Sequence, residues 1–404
     1  MDPDTYSDLY SPWMGARAAL HHTDPYSPAV TAQIQKDIYG HVLRPTETWD
    51  PEAFVYPAFI VFPLAPFTHL PWPAVQLLFA IVTPFVILAA AWAWLRLCQP
   101  NLGQPNMGQP NRDRLTTIAI LALIVASWPA VWGCYQRQPS VFVAAAIAFS
   151  VLLFRPRSDI ASEIGPDIAS DIASGILLAL ATVKPQLVLL LAAWLLLLAI
   201  RHRRWRFVSA FALALVLLVT GSLALVPGWI PHWIHATIAY THAAGKISLP
   251  TFVFGRTIGL LADAALLLAL CLRLWKLWPA PPTSPAFVQS VALVLAVTVC
   301  LVPANPWLLF NDLLLIPALL VLSAHRPAES FPGLLLALAA TALFLALLVT
   351  PLCAALGLLV GFTINLVMPP FLLNYLLPLP VAAAILFVPT SATRPAQPSP
   401  SPAA

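Results

Sequence analysis

The sequence predicts an all-α polytopic membrane protein: a bundle of about nine to eleven transmembrane helices with re-entrant or interfacial helices beside them. Three observations predict it. Of 404 residues, 60% are hydrophobic and only 9% are charged, whereas a soluble domain carries roughly 25% charged residues. The mean hydropathy is +0.84. The apolar residues come in continuous runs near the length that crosses a bilayer, without the alternation of a membrane β-barrel. A water-soluble enzyme and a largely disordered chain are thereby excluded. The 42 prolines imply broken or kinked helices, whose freed backbone groups need protein neighbours or water.

Residues 1–57 form a polar acidic segment without a signal peptide. Eight carboxylates face only Arg17, Lys36 and Arg44, a net charge of −5. Next comes a Pro-broken apolar stretch, Ala53 to Leu70, read as a short span or an interfacial helix. Spans are expected near 73–95, 115–134, 139–154, 207–226, 257–278, 287–303, 307–324, 332–351 and 371–389, while 353–368 fits no class. One set of loops carries 13 of the 20 basic residues, which assigns it to the cytoplasm. That parity puts the acidic segment outside. A polar tail of this length is hard to translocate alone, so a further helix is expected upstream of Met1. The GQPN repeat in 103–111 and the DIAS repeat in 159–174 read as solvated cytoplasmic spacers, and 390–404 as a disordered tail. The chain thus divides into the external segment 1–57, the bundle 58–389 and the tail. The five cysteines are scattered without CxxC spacing, and no basic cluster interleaved with aromatics suits nucleic acid, so neither a metal site nor a nucleic-acid partner is expected.

The run from Gly175 to Arg206 sets a parity problem, because basic residues flank both ends. A re-entrant pair of helices with Lys184-Pro185-Gln186 at its apex resolves it, since Pro185 disfavours helix at Lys184. A buried ammonium must face a polar cavity. Lys184 is read as a cation for a lipid-linked phosphate or, alternatively, as a snorkelling or carboxylate-paired structural lysine. In the acidic segment, Asp8 and Tyr10 precede a short helical run, Trp13 to Leu20, and a turn at Asp24-Pro25-Tyr26. A carboxylate at the mouth of a cavity suits general-base work on a hydroxyl, or is simply solvated. In the loop 227–256, His235 and His242 share a helical face, suited to a polar acceptor or phosphate, or to an interfacial helix alone. Arg256 is an interface anchor or a phosphate clamp. Asn311 and Asp312, at the end of a span, must find partners or line a cavity.

In order and spacing these pieces resemble family 87 glycosyltransferases, GT-C fold membrane enzymes that include bacterial polyprenyl-phosphomannose-dependent α-mannosyltransferases. The run SDLYSPWMGARAALHHTDPYSP is similar to the family's first external loop, with Asp8, Tyr10, a small-residue helix, and Asp24-Pro25-Tyr26. Tyr56-Pro57 resembles its YPP-type segment. Lys184-Pro185 resembles its Lys-Pro pair, and Arg203-Arg204-Trp205-Arg206 its basic helix end. A late segment is matched loosely by Val302 to Pro317, without the family's histidine pair. The family's first transmembrane helix, ahead of the Asp loop, has no counterpart in the sequence.

The resemblance implies a GT-C-like bundle in a bacterial-type plasma membrane with its active site on the extracytoplasmic side. It implies a polyprenyl-phosphate sugar donor, a hexose and by family usage mannose, and a glycolipid or glycan acceptor. It also implies inversion at the anomeric carbon and no cofactor or metal. Asp8 becomes the candidate base, with Asp24 its rival. Tyr10, Tyr26, Lys184, Gln186, His235, His242, Arg256 and Asn311 become candidate substrate contacts. A transporter or flippase of a lipid-linked substrate is the main alternative, although the halves show no repeated hydropathy. An inactive membrane scaffold is the third reading.

Overall fold

The structure, a computed structural model, describes residues 7–44, 46–47, 49–98, 110–155, 168–303, 309–324 and 376–388. The expected segments 332–351, 353–368 and 390–404 and the GQPN repeat to residue 109 lie outside the described residues. Those described contain helices and no strands. Three helices are long and apolar enough to cross a membrane: α4 (Trp72–Cys98), α10 (Trp205–Leu225) and α13 (Arg256–Leu277). A fourth span is possible as a bent pair, α5 (Pro110–Ala126) and α6 (Trp128–Tyr135), which meet at 52°. Ser127 is extended there and Pro129 follows, so the hydrogen-bond ladder restarts at the bend. The remaining apolar helices are shorter. Among them are α7 (Pro139–Phe154), α8 (Ile168–Ala181), α9 (Pro185–Arg201) and α14 (Pro285–Leu301). At 1.5 Å per residue, none of these is as long as a ~30 Å hydrocarbon core.

Among these helices α14 is central, α4 gives one end to the core, and α10 and α13 are peripheral. α14 is buried on every face from Ala286 to Cys300, as a helix apolar all round should be. By contrast α10 and α13 keep large aliphatic side chains exposed, among them Leu213, Leu217, Leu261 and Leu268, the surface expected against lipid.

Helices α8, α9 and α10 run up, down and up. Asp171 near the start of α8 pairs with Arg204 just before α10, so the two outer ends of the α8–α9 pair share one end of the bundle. Lys184 sits at the other end as the N-cap of α9, which agrees with the expected hairpin. Gly175 lets α8 approach α10: a Cβ there would come within 2.6 Å of the Phe207 carbonyl oxygen. Phe154, against Phe207 and Phe287, floors that basic end, where Arg204 also donates to the Phe154 carbonyl.

One expectation is corrected here. The second half of the DIAS repeat is not a solvated spacer: residues 168–174 are the opening turns of α8. Asp171 and Ser174 are buried, on Arg204 and Ser150 respectively. The packed face of the repeat is Asp171 and Ser174, while Ile168 and Ile172 stay exposed, an arrangement that composition alone conceals.

The acidic segment is a folded cap on the Lys184 end. It comprises α1 (Tyr10–Leu20), α2 (Pro28–Tyr39), and a ten-residue apolar run, Ala58–Phe67, of two 3-10 turns around α3 (Val61–Leu64). Leu9, Trp13, Ile34, Phe54 and Phe59 form its core with Trp72, Val183, Val226 and Trp229 of the bundle. Helix α11 (Trp229–Ala243) lies over this cap: Trp233 Nε1 donates to the Val55 carbonyl at 3.1 Å. After α12 (Leu249–Phe254), α15 (Ile316–Ala324) and α16 (Pro378–Phe387) complete the described bundle against α14.

Candidate functional site

Between the cap and the end of the bundle lies a cavity of about 810 Å³. Two Xaa-Pro pairs build its floor. Gln138-Pro139 opens α7 and Lys184-Pro185 opens α9, each with proline in the first turn. The residue before a proline is pushed out of helix, so the side chains of Gln138 and Lys184 project past their helix ends. Lys184 is buried. Its ammonium donates to Gln138 Oε1 at 2.9 Å and to Ser140 Oγ at 2.7 Å, and stands 5.3 Å from the Tyr56 ring and 5.4 Å from the Phe310 ring. Among the described residues no carboxylate lies within ion-pair distance of it, and its direct hydrogen-bond partners are neutral, with Asp8 beyond Gln138. That arrangement favours an anionic ligand.

The other end of the same amide reaches the cap. Gln138 Nε2 donates to Asp8 Oδ2. Asp8 therefore lies in the cavity with Lys184, one bridging side chain away. Burial pushes the Asp8 carboxyl up to about 6 against the opposing pull of Lys184, with Asp50 adding to the rise and Lys246 and Gln138 opposing it. A carboxylate of that basicity is ionised at neutral pH and is a better proton acceptor than a solvated one. Gln186 and Asn311 also line the cavity. Asn311 is buried and its Oδ1 has no hydrogen-bond partner among the described residues.

Other expected site residues stand elsewhere. The Tyr10 hydroxyl donates to Asp37 at 2.7 Å while its ring packs on Trp13 and Trp72, so it braces α1 on α2. Asp24 accepts from the Tyr26 backbone N–H at 3.0 Å and meets His232, also at 3.0 Å. Tyr26 donates to the Tyr56 carbonyl at 2.7 Å, outside the cavity wall. His235 and His242 are exposed on α11, away from the face of Trp233, Thr237, Tyr240, Thr241 and Ala244 that lines the cavity. Arg256 is exposed at the start of α13 and does not line it. Asp263 accepts from Ser248 at 2.6 Å, a local tie between α12 and α13.

The structure adds cavity residues that the sequence reading passed over: Gln138, Asp50, Glu52, Tyr240 and Lys246. Tyr240 donates to Asp50 Oδ2 at 2.9 Å, and Lys246 lies 3.5 Å from the same oxygen. The one available signal was the polar run Gln136-Arg137-Gln138 between two apolar helices. Among the described residues no three His, Cys, Asp or Glu side chains gather as a metal ion requires.

A second, apolar cavity of about 430 Å³ adjoins the first. Val183 lines both, and its walls include Leu9, Phe67, Phe79, Phe142 and Leu180.

No curated protein and no solved structure matches the chain. The model of glycosyltransferase family 87 matches residues 54–303, a stretch that contains Tyr56, Gln138, Lys184 and Glu-free α9 but begins after Asp8 and Glu52. That match covers more than half of the chain, and with the apolar helices around it the conclusion is plain: the chain belongs to glycosyltransferase family 87 and is a membrane glycosyltransferase.

Proposed function

We propose that this glycosyltransferase moves a hexose, mannose by family analogy, from a polyprenyl-phosphate donor to a glycolipid or glycan acceptor. The reaction takes place at the extracytoplasmic face of a bacterial-type plasma membrane. The observation that supports the reading is the Asp8–Gln138–Lys184 bridge, in which a carboxyl group and a buried amine face one cavity. The apolar cavity meeting it at Val183 suits the isoprenoid chain next to the phosphate. The arginine-rich end, with Arg204 and Arg155, lies opposite the Lys184 end, as the positive-inside rule requires for an outward-facing site.

In this mechanism the donor phosphate binds the Lys184 ammonium and faces the N-termini of α7 and α9, whose dipoles favour an anion. Asp8 accepts the proton of the acceptor hydroxyl as its oxygen attacks the anomeric carbon. The bond from that carbon to the phosphate oxygen breaks through an oxocarbenium-like transition state, and polyprenyl phosphate leaves with the electron pair. A single displacement inverts the anomeric carbon. Lys184 then faces a phosphate monoester bearing more charge than the donor did, so its attraction grows along the reaction.

The test is transfer from labelled polyprenyl-phosphomannose to a glycolipid or glycan acceptor by membranes containing the protein. Transfer by the native chain and its loss in Lys184→Met and Asp8→Asn are expected. Full activity in Asp8→Asn removes Asp8 as the base, and no transfer by the native chain sinks the reading.

A further inference from the structure

The transfer step uses one of three carboxyl groups that line the cavity. Asp50 is engaged, since Tyr240 and Lys246 meet its Oδ2 and the Glu52 backbone N–H donates to its Oδ1 at 3.2 Å. Glu52 is different. Among the described residues its Oε2 accepts a single hydrogen bond, from the Ser11 hydroxyl at 3.0 Å. Asp8 lies in the turn that leads into α1 and Ser11 in the first turn of that helix, and Glu52 lines the same cavity as the base. Trp49, Tyr56 and Tyr240 line the cavity around it. Carboxyl oxygens for hydroxyls, with flat aromatic faces for ring carbons, make a lining suited to a sugar.

An independent observation points to a ligand rich in hydroxyls. Asn311 Oδ1, on the wall of this cavity, and Thr237 Oγ1, one turn before Tyr240 on the lining face of α11, are buried with no hydrogen-bond partner among the described residues. Buried polar atoms of this kind need a partner, and a sugar supplies several.

We propose that Glu52 positions the acceptor beside Asp8, and that this part of the cavity takes an uncharged sugar residue of the acceptor and rejects an anionic one. The inference rests on the transferase reading above and narrows its acceptor. Lys246 is committed to Asp50, and Lys184 faces the donor phosphate, so Asp8 and Glu52 set the local charge that an acceptor meets. Burial, with Asp8 and Asp50 beside it, pushes the Glu52 carboxyl above its ordinary range, so the site resists further negative charge, that of an anionic acceptor included.

The experiment measures transfer from labelled polyprenyl-phosphomannose to two probes, octyl mannoside and the same glycoside oxidised to a carboxylate at C6. The native chain prefers the neutral probe by about tenfold or more, because like charges meet in a desolvated site. Glu52→Gln, nearly the same shape, raises the KM for the neutral probe about tenfold, leaves the donor KM unchanged and weakens the preference. An unchanged donor KM reports that the variant is folded. Equal use of both probes by the native chain overturns the proposal, as does a Glu52→Gln variant whose acceptor KM and preference stay put. So does an effect confined to the donor KM. Those results leave the transferase reading standing, whereas no transfer to either probe by the native chain removes both.

Discussion

Asp8 and Lys184, on separate elements of the chain, hold the two ends of one side-chain amide, that of Gln138. The chemistry of the ends fixes which way the amide points. An ionised carboxylate only accepts and an ammonium only donates, so the nitrogen must face Asp8 and the oxygen Lys184. The bridge sets the spacing between a proton acceptor and a cation without letting them neutralise each other.

Gln138 is accordingly a positioning residue. Gln138→Leu removes both bonds and is expected to lower kcat by about a hundredfold through misplacement of Asp8 and Lys184, without abolishing donor binding. Gln138→Glu places a second negative group next to Lys184 and raises the donor KM as well. Single-turnover transfer and donor titration, run side by side on both variants, check this.

With Asp8 as the proposed base, activity is expected to depend on its ionised form. With the carboxyl raised to about 6, kcat/KM holds on the alkaline side and falls as pH drops through that value. The sign for stability is opposite. A carboxyl whose folded value is raised favours folding while protonated, and that contribution disappears as pH rises through about 6. Asp8→Asn is therefore expected to lose transfer by roughly 10²- to 10⁴-fold yet melt at a higher temperature at pH 8. A lower melting temperature at that pH contradicts the assignment.

The Asp171–Arg204 pair is buried at the far end of the bundle, with the Arg204 guanidinium 4.1 Å from the centre of the Phe154 ring. Asp171→Asn strands a buried cation and is expected to cost about 3–5 kcal/mol. Replacing both residues together, Asp171→Leu with Arg204→Met, costs much less. Thermal unfolding in detergent, followed by tryptophan fluorescence, distinguishes the two cases.

Gly175→Val pushes a side chain into the backbone of α10, where the Phe207 oxygen and the Phe211 nitrogen leave no room. Overpacking of this kind costs about 1–3 kcal/mol where neighbours can shift, and here the obstacle is backbone. The variant should accumulate poorly in membranes, while Gly40→Asn, at an exposed left-handed helix end that Asn tolerates and with nothing near the added Cβ, should accumulate close to native levels.

Orientation is tested separately. With native cysteines replaced, a cysteine at His41 should react with an impermeant thiol reagent in intact cells, and one within 101–111 should not. Reversed labelling puts the cavity on the cytoplasmic side.

Much was legible before any folding was considered. Hydropathy located α4, α10 and α13 because lipid imposes length and apolarity on any exposed spanning helix. The proline after Lys184, flanked by basic ends, revealed the hairpin of α8 and α9 because a pre-proline residue leaves the helix and like charges favour one side. Asp171 was hidden in a repeat that looked like a spacer, since only its partner on another element makes it a core residue. Tyr10, Asp24 and Tyr26 were correctly seen as a structured loop, but the cap uses their polar atoms internally, which spacing does not disclose.

The sequence by itself determined that this chain lives in a membrane, where its helices break, and that Lys184 must face something polar. Each follows from local composition against a uniform solvent. Which carboxylates share a cavity with that lysine was decided only by the tertiary structure. The cap folds back so that Gln138, Asp8 and Glu52 share one cavity, and pairings across such distances leave no periodic trace in the chain.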